Sequence, residues 1–256
     1  MNEHREAATD KQSPQTAPDV SVIIPAYNEE TTIGPVLDEV AGVLAGLPLP
    51  HEIIVVDDGS TDNTAGVLAQ AARRLPAVRI LTLAPNSGQS AAFGAGFAAC
   101  RGRIAVLMDG DGQNDPHDIP SLLKALEDCD ACCGYRQVRR DSMSKRLGSR
   151  IANRIRQSVL HDGIRDTGCS LKAVKSEFIR GLPMCFRGMH RFLPALWLMR
   201  GAEVSQIAVN HRPRAGGRSK YTNWGRLKET CWDLWAVRWM QKRHRRFRVT
   251  TNGEES

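Results

Sequence analysis

The chain has 256 residues, 41% of them hydrophobic and 25% charged, proportions that exclude a wholly disordered or fibrous protein and suit one α/β domain with additions. Its net charge of +7 conceals a segregation: residues 211–248 carry 12 basic and 2 acidic side chains, residues 136–156 carry 8 and 1, and the remainder is acidic. Two basic stretches on an acidic body point to a polyanionic partner, whether nucleic acid, anionic lipid or a phosphorylated ligand.

Residues 1–18 are polar and mixed in charge, without an apolar run or a small-residue cleavage site, which predicts a disordered tail instead of a signal peptide and a cytoplasmic chain. From Val20 one unit repeats: a β-branched run, a polar turn, then helical periodicity. Strands are predicted at 20–24, 52–56, 78–83, 104–108 and 130–134, with helices at 31–45, 64–74, 89–100 and 119–127 between them. Such alternation implies a mostly parallel central sheet with crossover helices on both faces. Three of the strands end in polar clusters, Tyr27-Asn28-Glu29, Asp57-Asp58-Gly59-Ser60 and Asp109-Gly110-Asp111. Ligands of open α/β sheets sit at the carboxyl ends of the strands, so one crevice should gather all three.

After Gly134 the pattern breaks. Residues 142–160 predict a basic amphipathic helix with Met143, Leu147, Ile151, Ile155 and Val159 on one face. Strands at 166–174 and 203–209 flank a helix at 188–199, and residues 212–221 form a Gly- and Arg-rich loop. Trp232, Trp235 and Trp239 then recur at helical spacing, followed by Lys242, Arg243, Arg245, Arg246 and Arg248. That pattern predicts an amphipathic segment at 222–248 for an anionic membrane surface or a partner protein. Residues 249–256 form a second polar tail. The longest uncharged apolar runs fall far short of the roughly 20 residues that cross a bilayer, so no transmembrane helix is predicted.

Seven cysteines are an odd number, and without a secretion signal they predict reduced thiols. Cys129, Cys132 and Cys133 imitate part of a zinc site, yet no second ligand pair follows at suitable spacing. Asp109 and Asp111 carry more chemistry. A tight turn through Gly110 lets both carboxylates approach one point, the donor set a hard divalent cation takes beside substrate phosphates, and Gln113 could add an amide oxygen. Asp115 reads as a helix N-cap with Pro116 in the first turn. At the second strand end, Asp57 or Asp58 could accept from a ribose hydroxyl or a base N–H, while Ser60 and Thr61 cap the next helix. Pro25, Tyr27 and Glu29 offer a surface for a nucleobase. No acid–base histidine stands out in these segments: His51 precedes a strand and His117 reads as a surface residue. Gly94 and Gly96 imitate a dinucleotide fingerprint but lie inside a predicted helix.

In combination, Val22-Ile23-Ile24-Pro25-Ala26-Tyr27-Asn28-Glu29, Val55-Val56-Asp57-Asp58-Gly59-Ser60-Thr61-Asp62, Asn86-Ser87-Gly88 and Asp109-Gly110-Asp111-Gly112-Gln113 resemble the nucleotide-sugar glycosyltransferases of family 2. Arg214-Ala215-Gly216-Gly217-Arg218-Ser219-Lys220-Tyr221 resembles the late basic loop of the dolichol-phosphate mannosyltransferase and polyprenyl-phosphate branch. The resemblance covers residues 19–221 and implies a GT-A fold. It implies that Pro25, Tyr27, Glu29, Asp57 or Asp58, and Gly110 meet the nucleotide sugar, and that Asp109, Asp111 and Gln113 hold Mg²⁺ or Mn²⁺. Arg136 would face the phosphates of acceptor or donor, and Arg214 and Lys220 would close over the diphosphate. The branch has Gln followed by Asp-Pro where this chain has Gln113-Asn114-Asp115, so Asp115 takes no catalytic role.

The implied reaction is inverting transfer of a sugar from a nucleoside diphosphate to a polyprenyl phosphate at the cytoplasmic membrane face. A phosphate monoester is largely ionised at neutral pH and needs no general base. Trp235 stands where processive polysaccharide synthases carry the Gln of Gln-x-x-Arg-Trp, which argues against that activity. Two alternatives differ in kind: a same-fold enzyme with a hydroxyl acceptor, and a non-enzymatic nucleic-acid binder. The resemblance makes nucleic acid an unexpected partner and leaves an integral membrane protein or a second copy as possible neighbours of residues 222–248.

Overall fold

The computed structural model describes residues 17–137, 143–213 and 223–245, with side-chain surroundings for 17–137, 152–213 and 231–245. Residues 1–16 and 249–256 of the expected tails, and Arg214, Lys220, Arg246 and Arg248, lie outside the described residues.

The β-branched runs form strands because alternate side chains can be buried on opposite faces of one sheet. In β1 (Val20–Ala26), Val22 and Ile24 enter one core and Ile23 the other. The first core is closed by α1 (Ile33–Ala45), α2 (Thr64–Arg74) and α4 (Ile119–Ala125). The second is closed by α3 (Gln89–Ala99), α6 (Leu193–Arg200) and inward residues of α7 (Asn223–Arg243). Cys132 and Cys133, on β5 (Ala131–Arg136), face opposite cores and cannot converge on one metal ion. The seven thiols are all free, as expected, and burial pushes that of Cys133 up to about 12.

The remaining strands are β2 (His51–Asp57), β3 (Val78–Thr82), β4 (Ile104–Leu107), β6 (Lys172–Lys175) and β7 (Val204–Val209), in the sheet order β3-β2-β1-β4-β6-β5-β7. All pairs are parallel except those of β6, which runs antiparallel to β4 and β5. The strand expected at 166–174 is therefore shortened to Lys172–Lys175. Asp166 instead turns the chain, accepting from Gly168 N at 3.2 Å and holding the Arg136 guanidinium. The helix expected from Gly188 begins as a 3-10 turn, Met189–Phe192, because Pro194 sits in the first turn of α6 and supplies no N–H.

One of the two expected amphipathic helices departs from its predicted face. On α5 (Met143–Leu160), Ile155 faces outward at 52% exposure while Arg156 points inward. Arg156 is buried because Asp162 and the Ile164 carbonyl, in the loop after the helix, supply its partners. On α7, Leu234 and Val237 are buried, whereas Trp232, Trp235 and Trp239 remain 70%, 63% and 63% exposed. Among the described residues no helix is long and apolar enough to cross a membrane.

Candidate active site

The carboxyl ends of β1, β2 and β4 meet on one edge of the sheet, and the polar clusters expected there are brought together. Pro25 pairs with Val56 beyond the end of β4, a place where its missing N–H costs little. The loops after β1 and β2 are then zipped to one another. Asn28, in the left-handed region at φ 53°, donates from its backbone N to Ser60 Oγ at 3.0 Å, and its Oδ1 accepts from Thr61 N at 2.7 Å. Glu29 N donates to Thr64 Oγ1 at 2.8 Å, and the Glu29 carboxylate accepts from Thr32 Oγ1 at 2.8 Å. Tyr27 stands half-buried at this junction.

Asp57 and Asp58, both buried, are told apart by their partners. Asp57 Oδ1 accepts from Ser60 N at 3.0 Å and Ser60 Oγ at 2.6 Å, the turn that leads into α2. Asp58 uses both oxygens on the loop before α3, accepting from Ser87 N at 2.7 Å, Gly88 N at 2.8 Å and Asn86 Nδ2 at 2.9 Å. Gly59 allows this approach: at φ 68° it lies where a Cβ would come within 2.9 Å of Asn86 N.

The Asp109-Gly110-Asp111 turn follows β4. A Cβ on Gly110 would approach Ile33 Cδ1 at 3.0 Å, so glycine lets the turn rest on α1. Asp111 is buried and its Oδ1 accepts from Gln113 N at 3.1 Å. Asp109 Oδ1 accepts from Gln89 Nε2 at 2.7 Å, and its backbone N donates to Asn114 Oδ1 at 3.0 Å. Asn114, where the branch pattern has Asp, also accepts from Ser170 Oγ at 2.7 Å and so latches the turn to the approach of β6. Burial and the neighbouring charge of Asp111 push the Asp109 carboxyl up to about 6. The two neighbouring carboxylates are an oxygen donor pair suited to Mg²⁺ or Mn²⁺, while the Gln113 side chain lies against His211. The three-residue group of metal-capable side chains found among the described residues is elsewhere, at Glu39, Asp115 and His117. Arg212 already pairs with both acids of that group, reaching both Glu39 oxygens and Asp115 Oδ1 at 2.8 Å. Asp115 is the expected N-cap, accepting from His117 N at 3.1 Å.

Several side chains of the site were not singled out by motif. A cavity of ≈ 440 Å³ opens beside Asp109, lined also by Gln89, Ser170, Lys172, His190 and Arg191. Gln89 directly follows the Asn86-Ser87-Gly88 motif, and a lysine inside an otherwise apolar strand run was a visible signal for Lys172. Its Nζ donates to the Cys169 carbonyl, and its charge pulls the Asp109 carboxyl down, against burial and Asp111. His190 comes from outside the segments in which no acid–base histidine stood out, and only tertiary structure could reveal it, because its partner Ser90 is 100 residues away. His211 comes to the same edge: it bridges Asn114, and its Nε2 lies 3.3 Å from Gln113 Nε2. Arg136 is held by Asp166 through Nε at 2.7 Å and Nη2 at 2.9 Å.

The family model for glycosyl transferase family 2 matches residues 21–182. The dodecaprenyl-phosphate galacturonate synthase of Rhizobium johnstonii is 38% identical over 79% of this chain and 62% of its own length. The undecaprenyl-phosphate 4-deoxy-4-formamido-L-arabinose transferase of Edwardsiella ictaluri is 35% identical over 79% and 62%. The chain thus spans about three fifths of these relatives. Among solved structures, glucosyl-3-phosphoglycerate synthase from Mycobacterium tuberculosis, in complex with Mn²⁺, UDP and glucosyl-3-phosphoglycerate, aligns with a TM-score of 0.65 over 88% of this chain and 80% of that one. At 19% identity this likeness shows the fold alone, the GT-A arrangement expected from the motifs.

Proposed function

The chain belongs to glycosyl transferase family 2, and on that premise we propose that it is an inverting glycosyltransferase that moves a sugar from a nucleoside diphosphate to a polyprenyl phosphate. The observation that carries the reading is the single edge on which the Asp57 turn, the Asp109-Gly110-Asp111 turn and the ≈ 440 Å³ cavity with Lys172, His190 and Arg191 converge. The named activities of the two relatives support the acceptor class.

In this reading Pro25, Tyr27, Glu29 and Asp57 meet the nucleoside. Asp58 braces the loop before α3, since both of its oxygens are engaged there. Asp109, Asp111 and Gln113 hold a divalent cation, and the Mn²⁺ in the structural neighbour's complex agrees with that donor set. When bound, the cation offsets the negative charge that grows on the departing diphosphate. Arg214 and Lys220 are assigned the same task from the basic loop. A hydroxyl acceptor remains the second reading, because His190 places a candidate base in the cavity.

The exposed tryptophans of α7 support attachment to the inner membrane face without a span, the rings at the interface and the basic side chains toward anionic headgroups. Purified protein screened against nucleoside-diphosphate sugars should hydrolyse one donor slowly, and do so only with Mg²⁺ or Mn²⁺. With polyprenyl phosphate it should transfer the sugar faster, and equal transfer to polyprenol would overturn the acceptor assignment. In flotation with anionic vesicles, replacing Trp232, Trp235 and Trp239 by Ser should abolish attachment.

A further inference from the structure

Lys172 opens β6, and the register places it opposite Leu107 of β4 on one side and Cys133 of β5 on the other. Both neighbours are buried at 1% exposure in the second core, on the face that α3 and α6 cover. An apolar side chain would suit that position. The chain instead buries an ammonium there at 3% exposure, a placement that lysine rarely takes without partners. Among the described residues its Nζ makes one hydrogen bond, to the Cys169 carbonyl, although an ammonium carries three donors. The side chain lines the ≈ 440 Å³ cavity beside Asp109, where Leu107, Phe93 and Leu193 supply apolar wall. Two polar neighbours in that lining are already committed, Gln89 Nε2 to Asp109 at 2.7 Å and Ser170 Oγ to Asn114 at 2.7 Å. The sheet order then places the cavity relative to a donor. Strands β2, β1, β4 and β6 stand side by side. The residues assigned to the nucleoside follow β1 and β2, and those assigned to the cation follow β4. Because β6 runs antiparallel to β4, its first residue, Lys172, lies at the same edge. A nucleoside diphosphate sugar laid along that edge brings its sugar to the start of β6.

We infer that Lys172 reads the donor's sugar: its Nζ donates to a hydroxyl oxygen of that sugar and so helps to set which sugar the enzyme accepts. The inference rests on the preceding reading of the enzyme. The Cys169 carbonyl and the two flanking strands hold the ammonium in one place, so the contact demands an oxygen at one position of the ring. A sugar without that oxygen leaves a buried donor short of a partner, which is a stronger discrimination than shape alone gives. The contact is present as soon as the donor binds, and it belongs to the sugar, not to the nucleotide. That separates it from a lysine that merely faces Asp109 with its charge, whose loss would weaken whatever the cation turn holds.

The test is calorimetric binding without acceptor, in the cation that supports hydrolysis, of the donor that the hydrolysis screen selects, its nucleoside diphosphate alone, and forms of the donor that each lack one sugar hydroxyl. Lys172→Met keeps the length of the side chain and removes the ammonium. Lys172→Gln keeps a donor group and carries the same comparison if the Met variant does not fold. The donor Kd should rise about tenfold or more in Lys172→Met, as for loss of a charge-assisted hydrogen bond, and by less in Lys172→Gln. The Kd of the nucleoside diphosphate should stay within about twofold. One deoxy donor should bind the wild type about tenfold more weakly than the full donor and lose nothing further in either variant, which assigns the hydroxyl. An unchanged donor Kd overturns the inference. So does an equal loss for donor and nucleoside diphosphate, because Lys172 would then act through Asp109. A deoxy series in which every member remains as sensitive to the substitution as the full donor overturns it too, and in all three cases the proposed activity stands. A wild-type chain that hydrolyses no nucleoside-diphosphate sugar overturns both.

Discussion

Glu52 and Asp109 are two acids at opposite ends of the same sheet, and their surroundings push them in opposite directions. Glu52, at the amino end of β2, is buried, which raises its pKa. Ser21 Oγ at 2.7 Å, the Arg79 guanidinium and Arg101 N at 2.9 Å more than offset this and hold the carboxyl below its ordinary value. Asp109, at the carboxyl end of β4, is pushed up to about 6 by burial and by Asp111. One charge is fully answered by the protein. The other keeps a raised pKa although Gln89 and Lys172 meet it in part, which is how an acid the fold satisfies and an acid poised for a ligand differ in physical terms.

The sharpest way to break that contrast is to exchange charge for shape at each end. Asp109→Asn or Asp111→Asn should reduce transfer about a thousandfold or more, on the scale of a lost electrostatic contact in a reacting site. The melting temperature should not fall, because each replacement relieves the repulsion between the two neighbouring carboxylates. Glu52→Ala should do the reverse. It strands Ser21 and Arg79 and should cost about 3 kcal/mol of stability, with kcat/KM at permissive temperature within about twofold. Denaturant unfolding paired with transfer assays separates the two patterns. Loss of activity in the Glu52 variant without loss of stability would dissolve the distinction.

A pH titration sharpens it further. Asp109 has a raised pKa in the fold, so it opposes folding of the metal-free protein above about 6, and that penalty fades as pH falls toward the ordinary value of 3.8. Protons then compete with a cation, and Mg²⁺ or Mn²⁺ affinity should fall by about tenfold per pH unit below about 6. Glu52 has a lowered pKa, so its stabilisation is complete above the ordinary 4.5 and is lost as pH falls through the lower value. Metal titration and unfolding curves across pH 4–8 read the two groups separately. The smallest effect belongs to Arg79→Ala, which removes one of three partners of Glu52 from a part-exposed position and should cost about 1 kcal/mol.

The half of the chain before Gly134 was legible because each unit there is local. Strand runs are continuous and apolar, α2 begins and ends at the expected residues, and the polar turns of the candidate site follow directly in sequence from the strands that carry them. Sequence could not rank Asp57 against Asp58, since the difference lies in which loop each carboxylate braces. The later half depends on distant partners. Arg156 turned inward because of Asp162, the strand at 166–174 shrank because Asp166 was taken by Arg136, and His190 joined the site through Ser90. Charge and periodicity read such segments as helix faces or strands, because the residue that decides their orientation lies outside the window being read.

The strap formed by His211 and Arg212 bears on the order in which the site can be assembled during synthesis. Arg212 N donates to the Gln113 carbonyl at 2.9 Å, and its guanidinium reaches Asp115, 97 residues earlier, and Glu39, 173 residues earlier. A nascent chain that has delivered the strands up to β5 can pair β1 with its neighbours, yet the turn that carries Asp109 still lacks the bridge from His211 to Asn114. Closing so long a loop is entropically costly and comes late. The carboxylates are therefore translated early and secured last, and the growing polypeptide acquires its sheet before the turn proposed to hold a cation is finished.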